Sequence, residues 1–216
     1  MIASIDVFFE FASPYSYLAA QELPALAQRH GRPLRWRPID LAKVWRELGV
    51  LEPYRAVRRV KAGYIWRDAA RVAADRGLQL VPSQSLPDTT LARLVVHRLN
   101  RYAPAAVEPF VLEVWRKLMA EGAAVGSVDT LMRCLDSGLH SEIQAAHEES
   151  EAAEDLEIAN RDAVAGGCFG VPWITADGEV YFGQDRLYLL DRRLTQAAGV
   201  VRGSHLRETE RLSDVI

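Results

Sequence analysis

An apolar strand that runs directly into a helix start, residues 8–17, constrains this chain more than any other feature of its sequence. Residues 8–11 have the composition of a buried strand, and Ser13-Pro14 follows after one residue. Ser13 is a good N-cap, and Pro14 suits the first helical position because its φ is already helical and its missing N–H would have no partner there. The segment therefore predicts a strand, a sharp turn and a helix that begins beside a side-chain hydroxyl.

Two serines at this helix start, Ser13 and Ser16, have the spacing of a Cys-x-x-Cys pair. A hydroxyl thus stands where a redox protein has its thiol, among unpaired N–H groups that favour negative charge. The alternative is that Ser13 only caps the helix, and both interpretations remain open on this segment alone. The two cysteines, Cys134 and Cys168, are far apart and form no Cys-x-x-Cys, so we expect neither a dithiol redox centre nor a disulfide framework. We expect Cys168 to be a small buried or loop residue.

A second informative segment, residues 166–187, lies near the other end of the chain. Asp177-Gly178 between two apolar runs is a strong hairpin signal. Val171-Pro172 opens the first of these runs, where a proline is tolerated because it need not donate to a strand ladder. A cis peptide bond before Pro172 is a hypothesis from the sequence. The segment predicts a strand, a two-residue turn, a second strand and a helix start.

Apolar residues at three- and four-residue spacings predict helices through the middle of the chain. We expect one helix over residues 14–30 with a kink at Pro24, followed by a second strand at 34–37. Asp40 is expected to cap a short helix that stops at Gly49.

One long helix that ends at Gly77 should place Lys61, Tyr64 and Asp68 on the same side. Asp88 is the expected cap of the helix after that. The apolar stripes of these helices predict core packing rather than cofactor contacts. Further helices are predicted at about 104–121, 128–136 and 141–165.

The charge of the chain argues against several partners. The formal net charge of −3 indicates neither a nucleic-acid binder nor a membrane-surface protein. The distribution is uneven, because residues 29–76 carry 13 Lys/Arg against 5 Asp/Glu, whereas residues 136–162 carry 9 acids and one Arg. Solvated helix faces account for most of these charges, and a basic region could also attract an anionic ligand.

No segment approaches the run of about 18 apolar residues that spans a bilayer. Asp6 and Glu10 occupy the region where a signal peptide has basic and then uninterrupted apolar residues, so we expect a cytoplasmic protein. None of the five histidines lies at a ligand spacing from another ligand type, so we predict no metal.

The two segments together resemble the thioredoxin superfamily. Within this superfamily, the chain resembles more specifically the glutathione-dependent branch that contains the kappa-class glutathione transferases and 2-hydroxychromene-2-carboxylate isomerase. The motifs that carry it lie in the same order as in the family and cover the chain to about Ala198. They are residues 9–19, residues 39–42, Lys61 with Tyr64 and Asp68, residues 169–172, and residues 182–187.

The resemblance implies an α/β, thioredoxin-like fold with an all-helical insertion. Residues 1–40 and 166–200 would form the thioredoxin-like domain, and residues 41–165 the inserted helical domain that roofs the site. Residues 201–216 would form a polar tail. In this fold Ser13 and Pro172, distant in sequence, should face each other across one pocket.

The resemblance also implies that glutathione is the cofactor, lying along Val171-Pro172 as an added strand with its thiol toward the Ser13 hydroxyl. Ser13 would act as a hydrogen-bond donor to the thiolate rather than as a nucleophile. Tyr15 and Tyr64 would line the substrate pocket, and Trp173 is expected in the core. Core packing is the alternative for Tyr15, and packing or pairing along the helix face with Asp68 is the alternative for Tyr64. Further cofactor contacts are implied for Gln184 and Asp185 at the γ-glutamyl end, where simple helix capping is the alternative for Asp185, and for Lys61 at the glycyl carboxylate.

The function implied first is a glutathione-dependent isomerase of the 2-hydroxychromene-2-carboxylate type, acting on a small aromatic substrate, in a chain expected to form a homodimer. A kappa-like glutathione S-transferase is the second hypothesis, and a non-catalytic module that binds glutathione or an extended peptide is the third. Val50 departs from the family pattern, which has an asparagine after the glycine at this point. That asparagine helps to fix glutathione or substrate, and Val50 offers no polar group.

Overall fold

The computed structural model describes residues 3–82 and 85–197, with one four-stranded sheet between helical layers. The strands are β1 (Ile5–Phe9), β2 (Leu34–Pro38), β3 (Trp173–Ala176) and β4 (Glu179–Phe182), in the order β2-β1-β3-β4. β1 pairs parallel with β2 and antiparallel with β3, and β3 pairs antiparallel with β4. The sheet thus joins the two remote segments, which confirms the predicted thioredoxin-like arrangement.

The predicted hairpin is confirmed. Asp177 and Gly178 have φ angles of 50° and 81°, the left-handed pair that a two-residue turn with the twist of the sheet requires. The peptide bond between Val171 and Pro172 is cis, as the sequence hypothesis proposed.

The helix expected over 14–30 is two helices, α1 (Pro14–Ala20) and α2 (Leu23–Arg29). Pro24 lies in the first turn of α2, where its missing N–H leaves no intrahelical bond unmade, so it begins a helix instead of kinking one. The two helices lie on one side of β1, and α1 contributes buried apolar residues to the main core.

The inserted segment contains α3 (Leu41–Glu47), capped by Asp40 as predicted, and the long α4 (Leu51–Asp75). The helix expected over 141–165 is divided because Glu149 has an extended ψ of 145°. The cap of the helix after α4 is Thr89, not Asp88, whose carboxylate accepts the Thr90 N–H at 2.9 Å. The remaining helices are α5 (Thr90–Tyr102), α6 (Val107–Trp115) with the π turn Arg116–Ala120, α7 (Val128–Met132), α8 (His140–Glu148), α9 (Ser150–Ala165) and α10 (187–197).

Two apolar cores lie on the two faces of the sheet, because successive side chains of β1 point in opposite directions. Phe8 joins Val44 of α3, Ala159 of α9 and Trp173 in the smaller core. Phe9 belongs to the larger core, where its ring packs edge-on against Phe11 and Trp36 and at a tilted angle against Trp115.

Trp173 is therefore buried, as expected. Among the described residues, no helix is both long and apolar enough to cross a bilayer. The division into domains 1–40 with 166–200 and 41–165 stays a prediction, and the tail over 201–216 lies outside the described residues.

Candidate functional site

The Ser13 hydroxyl lies where the two remote segments meet. Its oxygen accepts the Ser16 N–H at 3.2 Å, as an N-cap, and its proton points to the Val171 carbonyl oxygen at 3.4 Å. A hydroxyl rotates freely about its C–O bond, and the contact with Val171 is long. Ser13 can therefore keep its capping bond while it donates its proton to a ligand.

Val171 presents main-chain hydrogen-bonding groups beside this hydroxyl. Within the described ranges its N–H has no acceptor in the protein, although the residue is only 6% exposed. The next carbonyl, of Pro172, is occupied by the Gly183 N–H at 3.0 Å. An unpaired N–H next to a cis-proline is a suitable partner for an extended ligand that adds to the chain as a strand.

Tyr15 and Tyr64 share one carboxylate at the junction of α1 and α4. The Tyr15 hydroxyl donates to Asp68 at 2.8 Å and the Tyr64 hydroxyl donates to the same carboxylate at 3.4 Å. Burial and the hydrogen bond with Asp68 raise the pKa of Tyr15 far above its ordinary value, so its phenol is neutral throughout the physiological range. The structure thus brings Tyr15, Tyr64 and Asp68 together next to Ser13.

Lys61 lies at the exposed side of α4 and is connected to the Val171 segment through aromatic rings. Its ammonium group is 5.5 Å from the centre of the Tyr54 ring, which packs on Trp45 with 4.1 Å between ring centroids. The Trp45 Nε1–H donates to the Phe169 carbonyl oxygen at 2.8 Å. These contacts connect Lys61 to the loop before Val171, and its role toward a ligand carboxylate stays a prediction.

Gln184 and Asp185 lie in a single 3₁₀ turn, Gln184–Arg186, that precedes α10. Asp185 is exposed and pairs with Arg186 at 2.6 Å. The residue at the N-cap of this turn is Gly183, so the alternative role of Asp185 as a simple helix cap is not observed. The Gln184 side-chain oxygen accepts from Arg76 at 2.6 Å.

Arg76 is a site-supporting residue that the sequence analysis missed. Besides Gln184, its guanidinium contacts the Glu22 carboxylate at 2.7 Å and the Leu18 carbonyl oxygen at 3.3 Å. It thereby connects the end of α1, the end of α4 and the turn before α10. A basic residue at the last turn of a predicted helix gave no sequence signal for this role, because its three partners are distant in the chain.

Many charged side chains of the basic and acidic regions form ion pairs within the chain. Arg37 of β2 pairs with Asp162, and Lys43 of α3 pairs with Glu157. Arg101 of α5 holds Asp155 with two hydrogen bonds, at 2.8 and 3.1 Å. The acidic helix α9 thus faces basic side chains of the same chain, which favours pairing over ligand attraction for these residues. No cluster of His, Cys, Asp and Glu that could hold a metal ion occurs among the described residues.

Both cysteines have the properties of structural residues. Cys168 is fully buried and donates to the Gly170 carbonyl oxygen at 3.4 Å, and burial raises the pKa of its thiol to about 12. Burial likewise raises the pKa of Cys134 to about 11. The expectation for Cys168 as a small buried residue is confirmed.

These pKa values predict that iodoacetamide will modify neither thiol of the native protein at pH 8, since alkylation requires an accessible thiolate. Both thiols should react once the chain is unfolded in urea. Intact-mass measurement after timed quenching checks this, and rapid single modification of the native protein would contradict it.

Comparison with known proteins agrees with the geometry. The model of the DsbA-like thioredoxin domain matches residues 4–195. The chain belongs to the DsbA-like thioredoxin family. Within this family, it is 30% identical over 190 residues to a 2-hydroxychromene-2-carboxylate isomerase of Pseudomonas putida, covering 87% of this chain and 92% of the relative.

One further relative and one solved structure are similar to this chain over most of its length. Glutathione S-transferase kappa 1 of Caenorhabditis elegans is 25% identical over 207 residues, covering 89% of this chain and 91% of the relative. A solved structure of 2-hydroxychromene-2-carboxylate isomerase superposes with a TM-score of 0.77 at 27% identity, covering 95% of this chain and 99% of that one. The resemblance inferred from the motifs is confirmed at the level of the family and its fold.

Proposed function

We propose that this DsbA-like protein is a glutathione-dependent isomerase of the 2-hydroxychromene-2-carboxylate type. The isomerase class rests on the similarity to relatives of that name over nearly their whole length. The observation that carries the glutathione-dependent mechanism is the 3.4 Å approach of the Ser13 hydroxyl to the Val171 carbonyl oxygen. It joins a hydrogen-bond donor for a sulfur anion to a main-chain segment that could hold a tripeptide.

The residues present fit glutathione. The unpaired Val171 N–H and its carbonyl oxygen would pair with the cysteinyl residue as an added strand. Asp185, which is exposed beside the Ser13 helix, would pair with the ammonium of the γ-glutamyl end, with Gln184 next to it. Lys61 would pair with the glycyl carboxylate.

Ser13 acts as a donor rather than as a nucleophile. Its oxygen contacts only main-chain groups in the described part of the chain, the Ser16 N–H and the Val171 carbonyl, and neither is a base that could remove its proton. The hydroxyl and the neighbouring N–H groups together would stabilise an anion at this point. Each pKa unit by which they acidify a thiol corresponds to about 1.4 kcal/mol.

When bound, glutathione would supply a thiolate that adds reversibly to an electrophilic carbon of the substrate and is regenerated after the isomerisation. The hydroxyls of Tyr15 and Tyr64 donate to Asp68, and their rings would line the pocket for a small aromatic substrate. A cytoplasmic location and a homodimeric assembly are part of the proposal and rest on the sequence expectations alone.

The proposal predicts that the protein converts 2-hydroxychromene-2-carboxylate to its isomer trans-o-hydroxybenzylidenepyruvate only in the presence of glutathione, and that the concentration of free thiol does not change. Conversion is followed by ultraviolet absorbance, and thiol is titrated before and after complete turnover. An isomerase returns its thiol at the end of each cycle, so catalytic glutathione should suffice.

Stoichiometric loss of thiol would instead support the kappa-like transferase, which the similarity to the nematode protein makes the second candidate. A thermal shift with millimolar glutathione but no turnover of either kind would support the binding module. Absence of both a shift and turnover would contradict a glutathione site altogether.

A further inference from the structure

We infer that Glu10 and Arg93 are positioning residues that hold the turn presenting Ser13. This pair, named here the latch, joins the end of β1 to helix α5 of the inserted segment. The inference deepens the proposed function, on which its kinetic consequences rest. The geometric claim, that the latch fixes the turn over residues 10–13, can be tested without glutathione.

Glu10 fixes the turn through its main chain and its side chain. Its carbonyl oxygen accepts the Ser13 N–H at 3.0 Å, which closes a four-residue turn. Its carboxylate accepts the Thr89 hydroxyl at 2.6 Å, and the nearby Ala12 N–H acts to lower the pKa of this carboxyl. Glu10 thus closes the turn through its main chain and anchors it to the start of α5 through its side chain.

Arg93 holds the carboxylate in place. Its guanidinium donates to Glu10 at 3.1 Å and to the Ile39 carbonyl oxygen at 3.2 Å. Ile39 follows β2, and its N–H donates to the Phe9 carbonyl oxygen at the end of β1. Arg93 therefore ties helix α5 to the ends of both parallel strands, directly below the turn.

The latch is largely removed from water, since the side chains of Arg93 and Glu10 are 9% and 13% exposed. Burial raises the pKa of the Glu10 carboxyl, while Arg93, the Thr89 hydroxyl and the Ala12 N–H oppose this rise. Asp40, whose carboxylate is 3.8 Å from Arg93, is the other charged group that acts on the pair. Loss of one partner leaves a buried charge without compensation, whereas loss of both does not.

Arg98, also on helix α5, provides a matched control for the latch. Arg98 also pairs with glutamates, at 2.7 Å with Glu142 and 3.2 Å with Glu151, and its side chain is 12% exposed. Its partners lie in α8 and α9 rather than in the Ser13 turn. Arg98→Gln should therefore lower stability through a comparable loss of ion pairs without changing the site.

The first measurement is amide hydrogen exchange of Ala12 and Ser13, with global stability from urea unfolding. Glu10→Gln keeps the shape of the side chain but weakens its bond to Arg93, which loses its charge assistance. We expect faster exchange at these two amides in Glu10→Gln and in the double variant Glu10→Gln/Arg93→Gln, and no change there in Arg98→Gln. The double variant leaves no buried charge unpaired, since the Asp40 carboxylate that also loses Arg93 is 39% exposed, so it should fold even if the single variant does not.

The second measurement is steady-state kinetics with glutathione and the chromene. A displaced Ser13 hydroxyl should lower kcat by about tenfold to a hundredfold in both latch variants, with KM for glutathione nearly unchanged. In Glu10→Gln the uncompensated Arg93 charge should also move the acidic limb of the pH–kcat profile to lower pH. The double variant should return that limb to its original position without recovering kcat.

Unchanged exchange at Ala12 and Ser13 in a folded latch variant would overturn the inference, whatever the activity of the protein. An equal fall of kcat in Arg98→Gln would also overturn it, because the effect would then follow stability alone. If the parent protein neither binds nor uses glutathione, the proposed function fails while the exchange experiment still decides the latch.

Discussion

Replacement of Ser13 by alanine is expected to lower kcat by about a hundredfold to a thousandfold, as for the removal of one preorganised donor to a developing anion. The hydroxyl lies 3.4 Å from the Val171 carbonyl oxygen and has no acceptor that would activate it as a nucleophile among the described residues. Affinity for glutathione should change far less, since the main chain of Val171 and the charges of Lys61 and Asp185 remain. Steady-state kinetics and glutathione titration of the same preparation separate the two quantities.

Ser13→Ala also removes a helix cap, which costs about 1 kcal/mol of stability by itself. Ser127 provides the matched control, because its hydroxyl caps α7 by accepting the Thr130 N–H at 3.3 Å. Ser127→Ala should lose similar stability with full turnover, and Ser13→Thr should keep both the cap and much of the activity. Comparable turnover in Ser13→Ala and Ser127→Ala would show that Ser13 only caps its helix.

Features encoded by adjacent residues could be predicted from the sequence. Asp177-Gly178 specifies its turn through backbone conformations that few other residues adopt, and Asp40 caps α3 with its own carboxylate. The break at Glu149 could not be predicted, because nothing in the local pattern opposes a continuous helix there. Pro24 was compatible with a kink or with a helix start, and only packing decides between them.

The candidate site also contains some features that could be predicted from the sequence and others that could not. The family resemblance implied that Ser13 would face the Val171-Pro172 segment. Local sequence rules could not predict this, because 158 residues separate Ser13 from Val171. The roles of Glu10, Arg76 and Arg93 could not be predicted, since each depends on partners brought together by the fold. An isolated charged residue in a sequence indicates solvent exposure far more often than a buried contact.

Trp115→Ala should lower the free energy of unfolding by about 3–5 kcal/mol. Trp115 is fully buried, and its ring packs at centroid distances of 4.8 Å from Phe9, 5.2 Å from Phe11 and 5.9 Å from Trp36. Its Nε1–H also donates to the Phe11 carbonyl oxygen at 3.3 Å. Since domains of this size are stable by about 5–15 kcal/mol, the variant should lose a substantial fraction of the free energy of unfolding.

Urea unfolding followed by circular dichroism measures this loss as a lower midpoint with an unchanged slope. Trp45→Ala is the control, because Trp45 is only partly buried and packs on a single ring, that of Tyr54. Trp115→Phe keeps most of the apolar contact but leaves the Phe11 carbonyl without its donor, so its cost should be intermediate. Phe11 lies in the turn between Glu10 and Ser13, so this variant should also lower kcat more than its stability explains. Equal stability losses in Trp45→Ala and Trp115→Ala would contradict the central place of Trp115 in the core that supports the site.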